Sequence, residues 1–413
     1  MGAPAKGEAA QVTEEHLEEL ERLADTAGVD VVGTLVQRLD SPHPKFFIGE
    51  GKAEELKMQA EADGATLVIF DEELSPAQGR NLERLLNLRL MDRAELILDI
   101  FATRARSAEA RAQVELAQLQ YLRPRLTRMW AHLSRIRGGV GMRGPGETQL
   151  ETDRRLIDIR IARLKDELER VARHRATQRK GRTGQLRVSL VGYTNAGKSS
   201  ILRGMSGSEV FVEDRLFATL DPTTRAVDVG EGYEVLLTDT VGFIRKLPHH
   251  LVASFRATLE EAAEADLLLH VVDASHPWWE EQKEVVEEVL ADLGLRDRPT
   301  VLVFNKADRL THAEEEALRQ RRFGAQRSIT TSTVEPSGLD PLRELLRAEA
   351  RNLRPDVRVR LSSAQGAVLA EIYREGEVLE REDLGAEIVL RARLPQASLG
   401  RLKSRGVTVL DGA

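Results

Sequence analysis

One octapeptide constrains this 413-residue chain more than any other: Gly-Tyr-Thr-Asn-Ala-Gly-Lys-Ser at 192–199. It matches G-x-x-x-x-G-K-[ST] once, directly after the apolar run LRVSLVG (186–192) and before a helical stretch. A strand feeding a glycine loop that opens a helix aims backbone N–H groups at one point, and that point suits phosphate. Further apolar runs alternate with helical segments up to about residue 352: VLLTD (235–239), DLLLHVVD (266–273), TVLVFNK (300–306) and RSITTS (327–332). This alternation predicts an α/β fold with a doubly wound, mostly parallel sheet.

Three more motifs follow in the order such a sheet requires. In the loop itself, Gly192, Tyr193, Thr194, Asn195, Ala196 and Gly197 supply backbone. Lys198 reaches the β- and γ-phosphates, Ser199 offers its hydroxyl to Mg²⁺, and Ser200 follows in the helix. DTVG (239–242) ends a strand, so Asp239 can hold the metal shell and the Gly242 amide can sense a γ-phosphate, with Thr240 and Val241 between them. NKAD (305–308) ends another, comprising Asn305, Lys306, Ala307 and Asp308. A carboxylate at Asp308 accepts both N1–H and the 2-amino group of guanine, a donor pair adenine lacks, so GTP is selected over ATP. LFATLDPTTR (216–225) lies where a γ-phosphate-sensing loop must lie, with Phe217, Ala218, Thr219, Leu220 and Asp221 at its centre. Thr219 is the expected second Mg²⁺ hydroxyl, with Thr223 or Thr224 as the alternative. Each motif alone has a plain reading as a helix cap or turn; four in register do not.

Lys198, Thr219 and Gly242 are thus the expected catalytic group, with Ser199, Thr219 and Asp239 around the metal. Ras-like proteins carry Gln after DTVG, whereas this chain has Phe243, which cannot orient water. Intrinsic turnover is therefore expected to be slow unless another group helps. Asn195 resembles the loop position of GTPases that hold K⁺ beside the phosphates; the plainer reading, that it only shapes the loop, stays open.

Before this region the chain reads as two parts. Residues 1–100 form a small α/β unit, with strand-like VVGTLVQRL (31–39), TLVIFD (66–71) and NLRLMD (87–92), and helices at 51–64 and 75–87. FIGEGK (47–52) reads as a helix N-terminus. Residues 101–180 predict a long antiparallel helical hairpin: Leu119, Leu122, Leu126, Met129, Leu133 and Ile136 form one seam, and Ile157, Ile161, Leu164, Leu168 and Val171 the other. Pro124 should kink or break the first helix. The glycine-rich stretch 138–146 would be the tip. It has no Lys-Ser pair and no strand feeding it, so it is not a second phosphate loop. After the expected 186–352 nucleotide domain, residues 356–413 predict a β-α-β-β-α-β domain of α+β type.

Charge separates these parts. Residues 1–100 carry 10 Lys and Arg against 21 Asp and Glu, whereas 101–187 carry 21 against 9. Between Tyr121 and Gly146 stand Arg123, Arg125, Arg128, Arg135, Arg137 and Arg143 with no carboxylate, a one-signed stretch that suits RNA. Zero cysteines exclude disulfides and thiolate metal sites and make the cytoplasm the expected compartment. No apolar run is long enough to cross a membrane. A monomer that binds RNA rather than DNA is expected.

RGPGETQLETDRR (143–155), FIGEGKAEEL (47–56), LFATLDPTTR, DTVGFI (239–244) and VDASHP (272–277) together resemble the HflX family of GTPases over roughly residues 30–350. The resemblance implies GTP and GDP binding, Mg²⁺ use, association with the large ribosomal subunit and its RNA, and GTP-dependent separation of stalled ribosomes under stress. It implies too that the 138–146 tip approaches the peptidyl transferase centre. The family's guanine-contacting Ser-Ala stands here as Ser332-Thr333. Two rivals remain: a signalling GTPase with a protein partner and no RNA, and an RNA-remodelling ATPase.

Overall fold

The computed structural model describes residues 1–4, 10–126, 145–179, 185–207, 215–247, 262–321, 323–324 and 326–412. They fall into two compact units. The first comprises Met1–Val171, Asp214–Asp221 and the stretch from Lys246 to Arg256. The second comprises Ala172–Glu213, Pro222–Arg245 and the chain from Ala257 onward.

In the first unit, α1 (Ala10–Thr26), α2 (Glu50–Ala62), α3 (Pro76–Leu86) and α4 (Arg93–Arg104) accompany two parallel strands, β1 (Leu67–Phe70) and β2 (Arg89–Asp92). The local signals at 75–87 act as their chemistry dictates. The Ser75 hydroxyl accepts the Gln78 N–H at 3.3 Å while Gln78 accepts the Ser75 N–H at 3.0 Å, and Pro76 opens the helix. Gly49 caps α2, in line with the reading of FIGEGK as a helix start. Ile48, Leu56, Phe70, Leu82 and Leu86 form the core between them.

No regular strand forms over 31–39, where one is expected; residues 35–39 instead pair with the start of the chain through the Gly2–Val36 bridge and through bonds from Gly2 N–H to Leu35, Gln37 N–H to Gly2 and Leu39 N–H to Pro4. Leu35 and Leu39 touch the core, while Val31 and Val32 stand exposed. A buried charge cluster ties the helices to the sheet. Arg93, only 2% exposed, donates to Asp71 at 2.8 Å and pairs with Glu19 of α1.

The hairpin helices are α5 (Ala108–Leu122) and α6 (Pro145–Arg179). Ala112, Leu116 and Leu119 pack against Ile161, Leu164 and Leu168, and Glu115 takes both arms of the Arg160 guanidinium at 2.6 Å. Pro124 breaks α5 into a 3₁₀ turn, Arg123–Arg125, because proline cannot supply the N–H that the next α-helical turn needs. Met129, Leu133, Ile136 and the 138–146 tip lie outside the described residues.

The second unit holds a six-stranded sheet with order β4-β5-β3-β6-β7-β8. Its strands are β3 (Leu186–Gly192), β4 (Thr223–Gly230), β5 (Tyr233–Asp239), β6 (Leu267–Asp273), β7 (Thr300–Asn305) and β8 (Arg327–Thr330). All neighbours are parallel except β4 and β5. Both faces are covered. Leu190, Leu237 and Leu269 pack with α7 (Lys198–Ser206) and α10 (Asp340–Leu353) through Ile201, Leu202, Leu342 and Leu346. Val272, Leu302 and Phe304 lie on the other face with Trp279 of α8 (Trp279–Asp292) and Leu318 of α9 (His312–Gln320). Two covered faces account for apolar runs without alternation, such as LLLHVVD.

In the same unit, β9 (Asp356–Ser362), α11 (Gly366–Glu375), β10 (Glu377–Leu384), β11 (Glu387–Arg393), α12 (Gln396–Ser404) and β12 (Thr408–Gly412) follow the expected β-α-β-β-α-β order. They form an antiparallel sheet, β10-β11-β9-β12. Strand β9 alternates, with Val357, Val359 and Leu361 inward and Arg358 and Arg360 outward. The small sheet is fastened to the large one through Glu377, which accepts from the Tyr233 hydroxyl at 2.8 Å and from Arg351 at 3.0 Å.

Candidate nucleotide site

Strand β3 ends at Gly192, and the chain turns back on itself before α7 begins at Lys198. Gly197 makes the turn possible. Its φ is +98°, and a Cβ there would lie 2.2 Å from Asn305 Nδ2. Lys198 is buried and donates to the carbonyls of Gly192 at 3.0 Å and Tyr193 at 2.8 Å, so its ammonium closes the loop into a ring. Burial lowers its pKa to about 8 against the pull of the Asp239 carboxylate.

The exit of β5 is laced to this loop. Ser199 donates its hydroxyl to Asp239 at 2.6 Å. Phe243 N–H donates to Gly192 at 3.1 Å, and Thr194 N–H donates to the Phe243 carbonyl at 2.7 Å. Gly242 has no room for a side chain, because a Cβ would meet Thr194 Cα at 2.7 Å. Thr240 anchors the same turn by donating to Leu190 at 2.6 Å, beside the buried Val241. The Phe243 ring is wholly buried and presents no polar atom.

The end of β7 completes the cluster. Asn305 donates to the Ala196 carbonyl at 2.9 Å and accepts from Thr331 at 3.3 Å, so it fixes the glycine loop to the next corner. Lys306, at φ +61°, reaches Asp273 at 2.6 Å, and Ala307 N–H donates to Thr331. Asp308 accepts the Ser332 hydroxyl at 2.6 Å, and that oxygen also accepts from the Val334 and Glu335 N–H groups. Thr333 is the next residue of the same loop, and Ser200 lies in the first turn of α7.

Hydrogen bonds therefore gather the glycine loop, Asp239–Gly242, Asn305–Asp308 and Ser332 at one edge of the sheet. Two participants, Asp273 and Thr331, are not among the expected site residues. Each lies at the end of a strand beside β7, so strand order is the signal that would have found them.

The 217–221 loop is different, since it packs within the first unit. Phe217 lies edge-on to Phe101 with centroids 4.7 Å apart, and Leu220 is buried. Asp221, expected among the nucleotide contacts, is engaged within the first unit: its carboxylate accepts the N–H groups of Arg106 at 2.9 Å and Ser107 at 3.2 Å, together with the Ser107 hydroxyl. Ala218 and Thr219 between these anchors are partly buried.

One expected RNA contact is also corrected. Arg125 is 6% exposed, stacks 3.7 Å from the Tyr121 ring and donates to Leu74 at 2.7 Å and Asp92 at 3.2 Å. It is a core residue with no surface for phosphate. Arg123 stays at the surface in a 2.6 Å pair with Asp158. Arg128, Arg135, Arg137 and Arg143 lie outside the described residues.

A doubly wound sheet whose C-terminal edge carries this loop, with an Asn-Lys-x-Asp corner tied to it, makes the second unit a P-loop GTPase. Family models agree along the chain: residues 14–102 match the GTP-binding GTPase N-terminal model, 104–182 the GTP-binding GTPase middle region and 187–306 the 50S ribosome-binding GTPase. GTPase HflX of Escherichia coli K12 is 44% identical over 401 residues, covering 96% of this chain and 94% of its own. GTPase HflX of Flavobacterium psychrophilum is 49% identical, with 76% and 75% covered. A GTP-binding protein of Sulfolobus solfataricus, solved with GDP, is 26% identical with TM-score 0.44 and coverage of 85% and 99%. The chain belongs to the HflX family of GTPases, and its reaction is GTP hydrolysis. Among the described residues no helix is long and apolar enough to cross a membrane.

Proposed function

We propose that this chain is a Mg²⁺-dependent GTPase that binds the large ribosomal subunit and separates stalled ribosomes under stress. The direct bond between Asn305 and the glycine loop carries the nucleotide part, because it makes base corner and phosphate loop one rigid frame. Lys198 holds the β- and γ-phosphates, the Gly242 amide senses the γ-phosphate, and Asp308, held by Ser332, reads guanine. Ser199 and Asp239 are adjacent oxygen donors of the kind Mg²⁺ takes beside nucleotide phosphates, and Thr219 is the further hydroxyl of that set. The metal supplies charge neutralisation across the phosphates.

Phe243 leaves hydrolysis without a water-orienting side chain, so the rate depends on how firmly the phosphate-sensing loops are held. K⁺ held beside Asn195 is the proposed accelerant, on the likeness of its loop position alone. Equal turnover in KCl and NaCl removes that role.

Ribosome association rests on the family and on the arginine-rich 121–146 stretch, less Arg125. Domain limits of 1–100, 101–180, 186–352 and 356–413 accompany this reading, as do a monomeric state and a cytoplasmic location. Co-sedimentation with purified large subunits tests the whole. Binding should be strongest with a GTP analogue, weaker with GDP and steeply salt-dependent. Binding indifferent to nucleotide and salt overturns it.

A further inference from the structure

The large sheet sets one acidic side chain beside the guanine corner. Strands β6 and β7 are in register so that Asp273 stands opposite Asn305, and the Ala274 N–H donates to the Asn305 carbonyl at 3.0 Å. Asp273, the second residue of VDASHP, is thereby brought to Lys306. Its two oxygens divide their work. Oδ1 accepts the Ser275 hydroxyl at 2.7 Å and the Ser275 N–H at 3.1 Å, which fixes the carboxylate. Oδ2 takes the Lys306 ammonium at 2.6 Å. The Asp273 and Lys306 side chains are only 13% and 18% exposed, so their attraction is screened less than that of a surface pair.

Lys306 needs such a partner because of what stands two residues further on. Asp308 reads guanine with a carboxylate that has to stay open. Among the described residues it accepts the Ser332 hydroxyl on Oδ1 and pairs with no cation. Lys306 leads into the 3₁₀ turn Ala307–Arg309 and carries its charge on a flexible four-carbon stem. A released ammonium could pair with the Asp308 carboxylate, and it would then occupy the oxygens that guanine N1–H and the 2-amino group require.

We propose that Asp273 determines base specificity: by holding the Lys306 ammonium it keeps the Asp308 carboxylate open to the guanine of a nucleoside di- or triphosphate. The proposal rests on the base-reading role given to Asp308 above. Asp273 acts through Lys306 and is therefore a positioning residue, setting base selection and not phosphate chemistry.

The test uses the full chain with Mg²⁺ and measures affinity for GDP and for IDP, whose base lacks the 2-amino group, together with kcat and KM for GTP. Asp273→Asn keeps an oxygen for the Ser275 turn and removes the charge that holds Lys306. It should lower the preference for GDP over IDP about fivefold, the scale of an exposed ion pair, and raise KM for GTP while kcat stays within about twofold. Lys306→Gln has no ammonium to misplace and should keep the wild-type preference. Added to Asp273→Asn, it should restore that preference, whereas a merely structural loss would weaken GDP and IDP alike and deepen in the double variant. Wild-type preference in Asp273→Asn, or a double variant no more selective than Asp273→Asn, overturns the proposal. If Asp273→Asn does not fold, the double variant is compared with Lys306→Gln: equal preference supports the proposal, and a lower one overturns it. Asp308→Ala separates the two readings. If it still prefers GDP over IDP, the base-reading role fails and the proposal with it; if it loses the preference while Asp273→Asn does not, only the proposal fails.

Discussion

The nucleotide edge and the basic stretch of this molecule are both conspicuous in sequence, and they differ in how their residues end up. The nucleotide edge is written as motifs whose residues do one job each, and three of them, the glycine loop, DTVG and NKAD, meet through bonds such as Ser199 to Asp239 and Asn305 to Ala196. The basic stretch is written as a composition, six arginines without a carboxylate, and its members diverge. Arg123 is at the surface, whereas Arg125, two residues on, is a core residue locked to Asp92 and stacked on Tyr121. A motif specifies geometry, because its chemistry fails at any other spacing. A charge count specifies only an average.

The largest expected effect strikes the motif side. Lys198→Ala should cut GTP turnover about a thousandfold, about 4 kcal/mol, in single-turnover assays. A loss under tenfold would mean that the ring of lysine and carbonyls is structural only. Next comes the arginine pair. Arg125→Ala leaves Asp92 buried without this partner and should cost about 3 kcal/mol of unfolding free energy by urea titration. Arg123→Ala, breaking an exposed pair, should cost less than about 1 kcal/mol. Equal effects would erase the distinction drawn between them. Asp308→Asn should weaken GTP binding about a hundredfold and shift preference to xanthine, read by nucleotide competition.

A pH-dependent effect concerns a polar group that the sheet leaves alone. His270, on β6, is buried, and neither ring nitrogen has a hydrogen-bond partner among the described residues. Burial lowers its pKa to about 3, with Lys283 and Lys198 acting in the same direction. The unfolded chain then binds the extra proton between about pH 3 and 6.5, so stability should rise with pH across that window. The slope from this residue is at most about 1.4 kcal/mol per pH unit. His270→Leu should flatten the profile of urea midpoint against pH; an unchanged profile would assign the acid sensitivity elsewhere.

These contrasts also mark what is legible from residues alone. The doubly wound sheet, the capping box at Ser75 and the break at Pro124 follow from local chemistry and appear as expected. The 31–39 run is only partly legible: among the described residues its backbone pairs with Gly2 and Pro4 over Leu35 to Leu39, while Val31 and Val32 stand exposed. Asp273 and Thr331 are not legible as site residues. Asp273 lies in VDASHP and Thr331 in RSITTS, but neither stretch names a partner, and each residue matters because β6 and β8 flank β7.

The sequence by itself determined the phosphate loop, the guanine corner and the class of sheet that carries them, since each depends on residues close together in the chain. Tertiary structure decided the rest. It alone placed Arg125 inside, set Asp221 on the N-terminus of α5 and gave the 215–221 loop to the first unit. Those outcomes depend on which surfaces meet across long separations, and burial, not spacing, chooses the partner of a charge.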